Sequence, residues 1–152
     1  MKYKKQPAYL GVALVALVAC SAKDPQTVRP NGSTTQLNST RSLEKRLAEI
    51  AGQANQAAPA NIDSNTRLDG ARAGPGLRLT STYTLVNAES EGISSATFET
   101  KLTPVVKKAS CENPDLRPLI NQGVVVVLEY RGNDGSPIGT LSINRDTCSA
   151  PK

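Results

Sequence analysis

The 152-residue chain contains no histidine and no tryptophan, one phenylalanine and only three cysteines. Without an imidazole there is no Ser-His-Asp triad, no Cys-His pair and no histidine-held metal. Two or three cysteines alone make a poor zinc site. A single phenylalanine implies a modest core. No apolar run reaches the roughly 20 residues that cross a bilayer as a helix. Nor is there a phosphate cradle: "AGPG", Ala73 to Gly76, is a turn and lacks the Lys-Ser/Thr that follows such a loop.

The longest apolar stretch lies near the N-terminus. Lys2, Lys4 and Lys5 precede it, and from Tyr9 to Ala19 every residue is apolar or small. A short basic region followed by about 7–15 apolar residues is a secretory signal. This one ends Leu17-Val18-Ala19-Cys20, which resembles the lipobox of bacterial lipoproteins. The resemblance implies that residues 1–19 are cleaved and that Cys20 becomes the lipidated first residue. Several acyl chains anchor durably, because each buried CH₂ contributes about 0.8 kcal/mol. Ser21 in the next position implies transfer to the outer membrane. The alternatives are a plain signal peptide, or an uncleaved anchor with Cys20 there by chance.

A signal of this kind changes the charge balance. The whole chain has 18 Lys and Arg against 13 Asp and Glu, a net +5. Without its first 19 residues it keeps fifteen basic residues, a net charge of about +2. The high pI owes much to the signal, so nucleic acid, which needs a clustered basic face, is not an expected partner. Cys111 and Cys148 remain once Cys20 carries lipid. An even count in an exported chain reads as a disulfide, with two free thiols or a metal pair as the alternatives. No metal and no cofactor is expected.

Three segments follow: the signal at 1–19, a lipidated cysteine and polar tether at 20–40, and a domain at 41–152. "SAKDPQTVRPNGSTTQLNST" has two prolines and no periodicity, as flexible linkers do. Leu43, Leu47, Ile50, Ala51 and Ala54 then form one apolar stripe, predicting a helix over about 41–55. Residues 65–73 and a run from Leu77 to Leu85 predict a hairpin around Gly74-Pro75-Gly76. In the second strand Leu77, Leu79, Tyr83 and Leu85 alternate with Arg78, Thr80, Thr82 and Thr84. Phe98, Leu102, Val105, Val106 and Ala109 predict a second helix, capped by Ser94 or Ser95 and kinked or restarted at Pro104. Asn113-Pro114 starts a short helix that Gly123 stops. "VVVVLEY" (Val124–Tyr130) and "IGTLSI" (Ile138–Ile143) flank the turn "RGNDGS". The expectation is an α+β domain of order αββααββ. Its antiparallel four-stranded sheet consists of two hairpins, with helices packed on one face and one disulfide.

Residues 60–148, through "TRLDGARAGPGLRLTSTYTLVN" and "CENPDLRPLINQGVVVVLEYRGNDGSPIGTLSINRDTC", resemble a family of small uncharacterised exported proteins of Gram-negative bacteria. The resemblance supports the fold unit and the disulfide and implies no activity.

Few residues invite a chemical role. Asp63, Asp69, Glu99, Glu112, Asp115, Glu129 and Asp134 could pair for glycoside hydrolysis, but none sits in a motif. "GNDG", Gly132 to Gly135, has too few oxygen ligands for calcium. Arg67 and Arg78, with Asp69 and Arg72, occupy neighbouring strands and could meet an acidic partner, or simply decorate a solvated face. Tyr130, Arg131, Asn133 and Asp134 surround the last turn. They could anchor a partner or pack the strand end. The reading is a non-enzymatic, periplasm-facing lipoprotein of the outer membrane, held through lipid on Cys20, that binds another envelope protein. The alternatives are an inhibitor or immunity protein using loop 131–136 as a plug, a pilotin-like secretion-system assembly lipoprotein, and, least favoured, a small hydrolase. The assembly version predicts an exposed groove or sheet edge.

Overall fold

The structure is a computed structural model that describes residues 33–149. The signal segment and Cys20 lie outside the described residues. The first element, α1, runs from Ser33 to Ala57, 25 residues and about 37 Å long. It begins well before the expected residue 41, within the stretch read as tether. Leu43, Leu47 and Ala51 bury the predicted stripe, and Ile50 packs at its margin. From residue 36 to residue 42 the helix is exposed, with Leu37 at 66%. Sequence periodicity marks only the docked part. Beyond it, helix adds one hydrogen bond for each residue ordered and needs no apolar face.

The sheet has five strands, not four: β1 (Ala60–Asn61), β2 (Thr66–Gly74), β3 (Arg78–Leu85), β4 (Val125–Gly132) and β5 (Pro137–Ile143), in that spatial order. Two residues are too few for β1 to show a period. Both expected hairpins form, β2 with β3 and β4 with β5, each antiparallel. They join differently from the expectation. β3 and β4 run parallel, Arg78 beside Val125 through Leu85 beside Gly132. The all-antiparallel sheet is therefore corrected to a mixed one. Period-two patterning says which face a residue takes, not which way a neighbour runs. The long helical connection carries the chain back to the start of the sheet, as a parallel pair requires.

That connection holds more elements than predicted. After a 3₁₀ turn at Ser90–Gly92 come α2 (Ser95–Thr97), a π turn (Phe98–Leu102), α3 (Thr103–Glu112) and α4 (Leu116–Asn121). The Ser94 hydroxyl caps α2, accepting from the Thr97 N–H at 3.2 Å. Pro104 sits in the first turn of α3. Proline lacks an N–H, and here the loosened ladder widens into the π turn just before it. Asn113 accepts from the N–H groups of Asp115 and Leu116 at 2.9 and 3.0 Å, so α4 starts at Leu116. Gly123, at φ +94°, ends the connection. A further short helix, α5 (Arg145–Ser149), follows β5. The order αββααββ thus gains a strand, the extra helical turns and α5.

One core forms on one face of the sheet. Leu79, Val126, Leu128, Tyr130 and Ile143 meet α1, Leu119 and Ile120 of α4, and Phe98. Leu47, Ile120, Val124 and Ile143 are fully covered; each such side chain contributes about 1.5–3 kcal/mol over an exposed one. Tyr83 stacks on Tyr130 at 5.4 Å between ring centres, and Phe98 meets Tyr130 edge-on at 5.8 Å. Cys111 at the end of α3 and Cys148 in α5 form the disulfide, their Cα atoms 5.5 Å apart.

Candidate partner-binding surfaces

Strand alternation leaves Arg67, Arg72, Arg78, Thr80, Thr82, Thr84, Val127, Glu129 and Arg131 on the face away from the core cluster. Among the described residues, no helix contributes to a core there. The polar groups bind one another. Arg72 donates to both oxygens of Glu129, at 2.6 and 3.2 Å, across the width of β3, and Thr82 donates to Glu129 at 3.3 Å. The Arg72 hydrogen bond holds the Glu129 carboxyl below its ordinary pKa, and the same bond raises the arginine's. Arg67 donates to Asp69 at 2.6 Å. Thr84 donates to the other Asp69 oxygen. Asp69 is the extra residue of a bulge between Leu68 and Gly70, which turns its carboxylate onto this face.

Arg67 and Arg78, expected on a common face, share it; Arg78 is exposed and Arg67 half-buried. Arg67 is spoken for by Asp69. Asp69 and Glu129 each answer an arginine, so neither resembles a general acid beside a general base.

Tyr130 is 6% exposed and lies under Phe98 and Tyr83. Its ring is core and offers a partner no surface. Burial pushes up the Tyr130 phenol pKa, with Tyr83 and Asp63 adding to the effect. Arg131 is exposed at the strand end and donates to the Gly135 carbonyl at 3.4 Å. The turn that follows is braced. The Asn133 N–H donates to Ala88 O at 2.9 Å. Asp134 accepts from the Ser90 hydroxyl at 2.7 Å and from the Ser136 N–H at 3.1 Å. The Ser90 bond keeps the Asp134 pKa low. A Cβ on Gly132 would come within 2.5 Å of the Ser90 nitrogen, so the turn and the 3₁₀ turn fit closely. Exposed polar residues in "GNDGS" gave no sign of these distant partners.

The helical side carries a groove of about 490 Å³ between α1 and α4. Ile50, Leu116 and Leu119 line its apolar part, and Arg46, Glu49 and Asp115 its polar part. Sequence reasoning missed it because it lies between elements about 70 residues apart. Among the described residues, no cluster of Cys, Asp and Glu could hold a metal ion, and no helix is long and apolar enough to cross a membrane.

No family model and no curated protein matches the sequence. Solved structures do match. The fold is similar to that of type II secretion pilotins. The pilotin AspS from Vibrio cholerae superposes with a TM-score of 0.61 at 14% identity, over 75% of this chain and 99% of that one. EpsS, a type II secretion pilotin from Vibrio vulnificus, gives 0.56 at 14% identity, over 75% and 98%. A candidate secreted protein of Pseudomonas aeruginosa gives 0.60 at 17% identity, over 72% and 95%. At these identities the likeness is one of fold. It spans nearly the whole of each of the three proteins.

Proposed function

We propose that the chain is a lipid-anchored, periplasm-facing assembly lipoprotein of a secretion system, pilotin-like, whose domain binds a protein of that machine and catalyses nothing. One observation carries this reading: two type II secretion pilotins match the domain over almost their full lengths. The sequence supports it through Leu17-Val18-Ala19-Cys20 and Ser21, which imply lipid on Cys20 and the outer membrane. In this reading the residues between Cys20 and α1 link the anchor to the folded domain.

The test uses the native full-length gene. Protein extracted from membranes should have the intact mass of a tri-acylated chain starting at Cys20. Deleting the gene should strand an outer-membrane secretion subunit in the inner membrane, and wild type but not Cys20→Ala should restore it. An unlipidated mass with the N-terminus intact would remove the anchor. Unchanged subunit localisation in the deletion strain would remove the assembly role.

A further inference from the structure

The two edges of the sheet are treated differently. On the outer side of β2, Leu68 and Arg67 pair with β1. Where β1 stops, the Asn55 side chain takes over. Its amide donates to Ala71 O at 2.8 Å, and its carbonyl accepts from the Ala71 N–H at 2.7 Å. A primary amide here imitates one residue of a neighbouring strand, and α1 positions it. That edge is covered as far as Ala71.

The opposite edge is β5, and it lacks such a plug. Its direction follows from one bond. The Val125 N–H donates to Leu77 O at 2.8 Å, so Val125, Val127 and Glu129 point their backbone groups at β3. Val126, Leu128 and Tyr130 then point theirs at β5, to Ile143, Leu141 and Gly139. Thr140 and Ser142 lie between those partners, so their N–H and C=O groups face outward. Among the described residues no strand lies beyond them. Natural edges are guarded by charged residues, proline or bulges. In β5 such guards stand only at the start, as Pro137 and a bulge at the Tyr130/Arg131 register shift. From Gly139 to Ile143 the strand bears no charge.

A groove of about 310 Å³ runs beside this edge. Phe98, Ile138 and Leu141 supply its apolar wall, Glu99 is its one charged residue, and none of its lining is basic. The Phe98 ring lies so close over Gly139 that a Cβ there would fall 2.6 Å from it.

We infer that the outer edge of β5 is a docking strand, taking by strand addition an extended segment of about four residues from a partner protein. The partner's backbone pairs with Thr140 and Ser142. An apolar side chain of that segment enters the groove against Phe98 and Leu141, and a lysine or arginine meets Glu99. A second copy of this chain is the poorer occupant, because β5 brings no basic residue to the other copy's Glu99. The inference deepens the assembly reading by naming how the partner is held.

The test is Thr140→Pro in the full-length, lipidated protein, with Thr140→Val as its control. Proline removes an N–H that does not serve β4, and edge strands tolerate it on the outward side. An unchanged thermal midpoint and an intact disulfide would establish that the variant folds; if it does not fold, Thr140→Ala with N-methylated partner peptides replaces it. Thr140→Pro should lower co-purification of the secretion subunit by about tenfold or more, through a lost backbone bond and the ring's steric bulk, while Thr140→Val retains it. A photo-crosslinker at residue 140 should label the same subunit. Undiminished co-purification with Thr140→Pro, labelling from residue 49 of the α1–α4 groove instead of 140, or a crosslink to a second copy would each overturn the inference and leave the assembly reading standing. If the wild type retains no subunit, the assembly reading fails first. A displayed library of random 12-residue peptides then decides the edge: binders lost on Thr140→Pro uphold it, and binders indifferent to it, or none, overturn it.

Discussion

Opening the Cys111–Cys148 bridge should lower the thermal midpoint by about 15 °C while leaving the fold in place at room temperature. The magnitude follows from the loop. The cysteines are 37 residues apart in sequence, and the chain-entropy model assigns a loop of that size about 4 kcal/mol of unfolded-state entropy at 25 °C. Unfolding entropy is about 2.1 cal/mol/K per residue, so a domain of this size changes by about 0.25 kcal/mol per degree near its midpoint. The quotient is about 15 °C. The loop holds α4, β4 and β5, so its constraint bears on the centre of the core. The assay is circular dichroism melting of oxidised protein, reduced protein and Cys111→Ser/Cys148→Ser. A drop under about 5 °C would refute the entropic argument. It would mean that the unfolded chain keeps the two loop ends near one another through residual structure, so that the bridge removes little entropy from it.

Other expectations follow from single contacts. Asn55→Ala removes both bonds to the Ala71 backbone and should cost about 1–3 kcal/mol, since each bond is worth about 0.5–1.5; urea unfolding measures it, and sedimentation should show more self-association through the unplugged β2 edge. Gly139→Ala forces a methyl against the Phe98 ring and should destabilise by about 1–3 kcal/mol through overpacking; a neutral result would show that Phe98 moves freely. Glu129 has a lowered folded pKa because Arg72 bonds its charged form. Its contribution is therefore full above the ordinary carboxylate range and is lost as pH falls through the depressed folded value. Melting midpoints of wild type and Glu129→Gln should converge on acidification.

The faces of the elements were legible in the sequence, because period alone sets them. Leu43, Leu47 and Ala51 went inward as their spacing requires, and so did the leucines of β3. Ser94, Asn113 and Gly123 punctuated the connection because each acts on backbone within three residues of itself. What failed was information held between distant segments. No local pattern says that β4 lies parallel to β3, that Asn55 completes an edge 16 residues away, or that Asp134 reaches Ser90. Tyr130 looked like an anchor beside a turn. Its burial depends on Phe98, 32 residues earlier. The start of α1 was hidden for the opposite reason, because residues 36–42 are exposed and bury no apolar stripe that would write a period.

The parallel pairing of β3 with β4 also bears on how the chain reaches this shape. The β2–β3 hairpin is local and can close early, yet the strand that covers its far side lies about 40 residues downstream, beyond α4. Until β4 arrives, Leu79, Tyr83 and Leu85 of a formed hairpin have only α1 to shelter them. Pairings this distant slow folding and lengthen the time that apolar surface is open to other chains. In a protein that crosses a membrane N-terminus first, as the signal reading implies, the interval includes the passage of the whole helical connection. A chaperone that guards emerging strands would act on this hairpin before the second one exists.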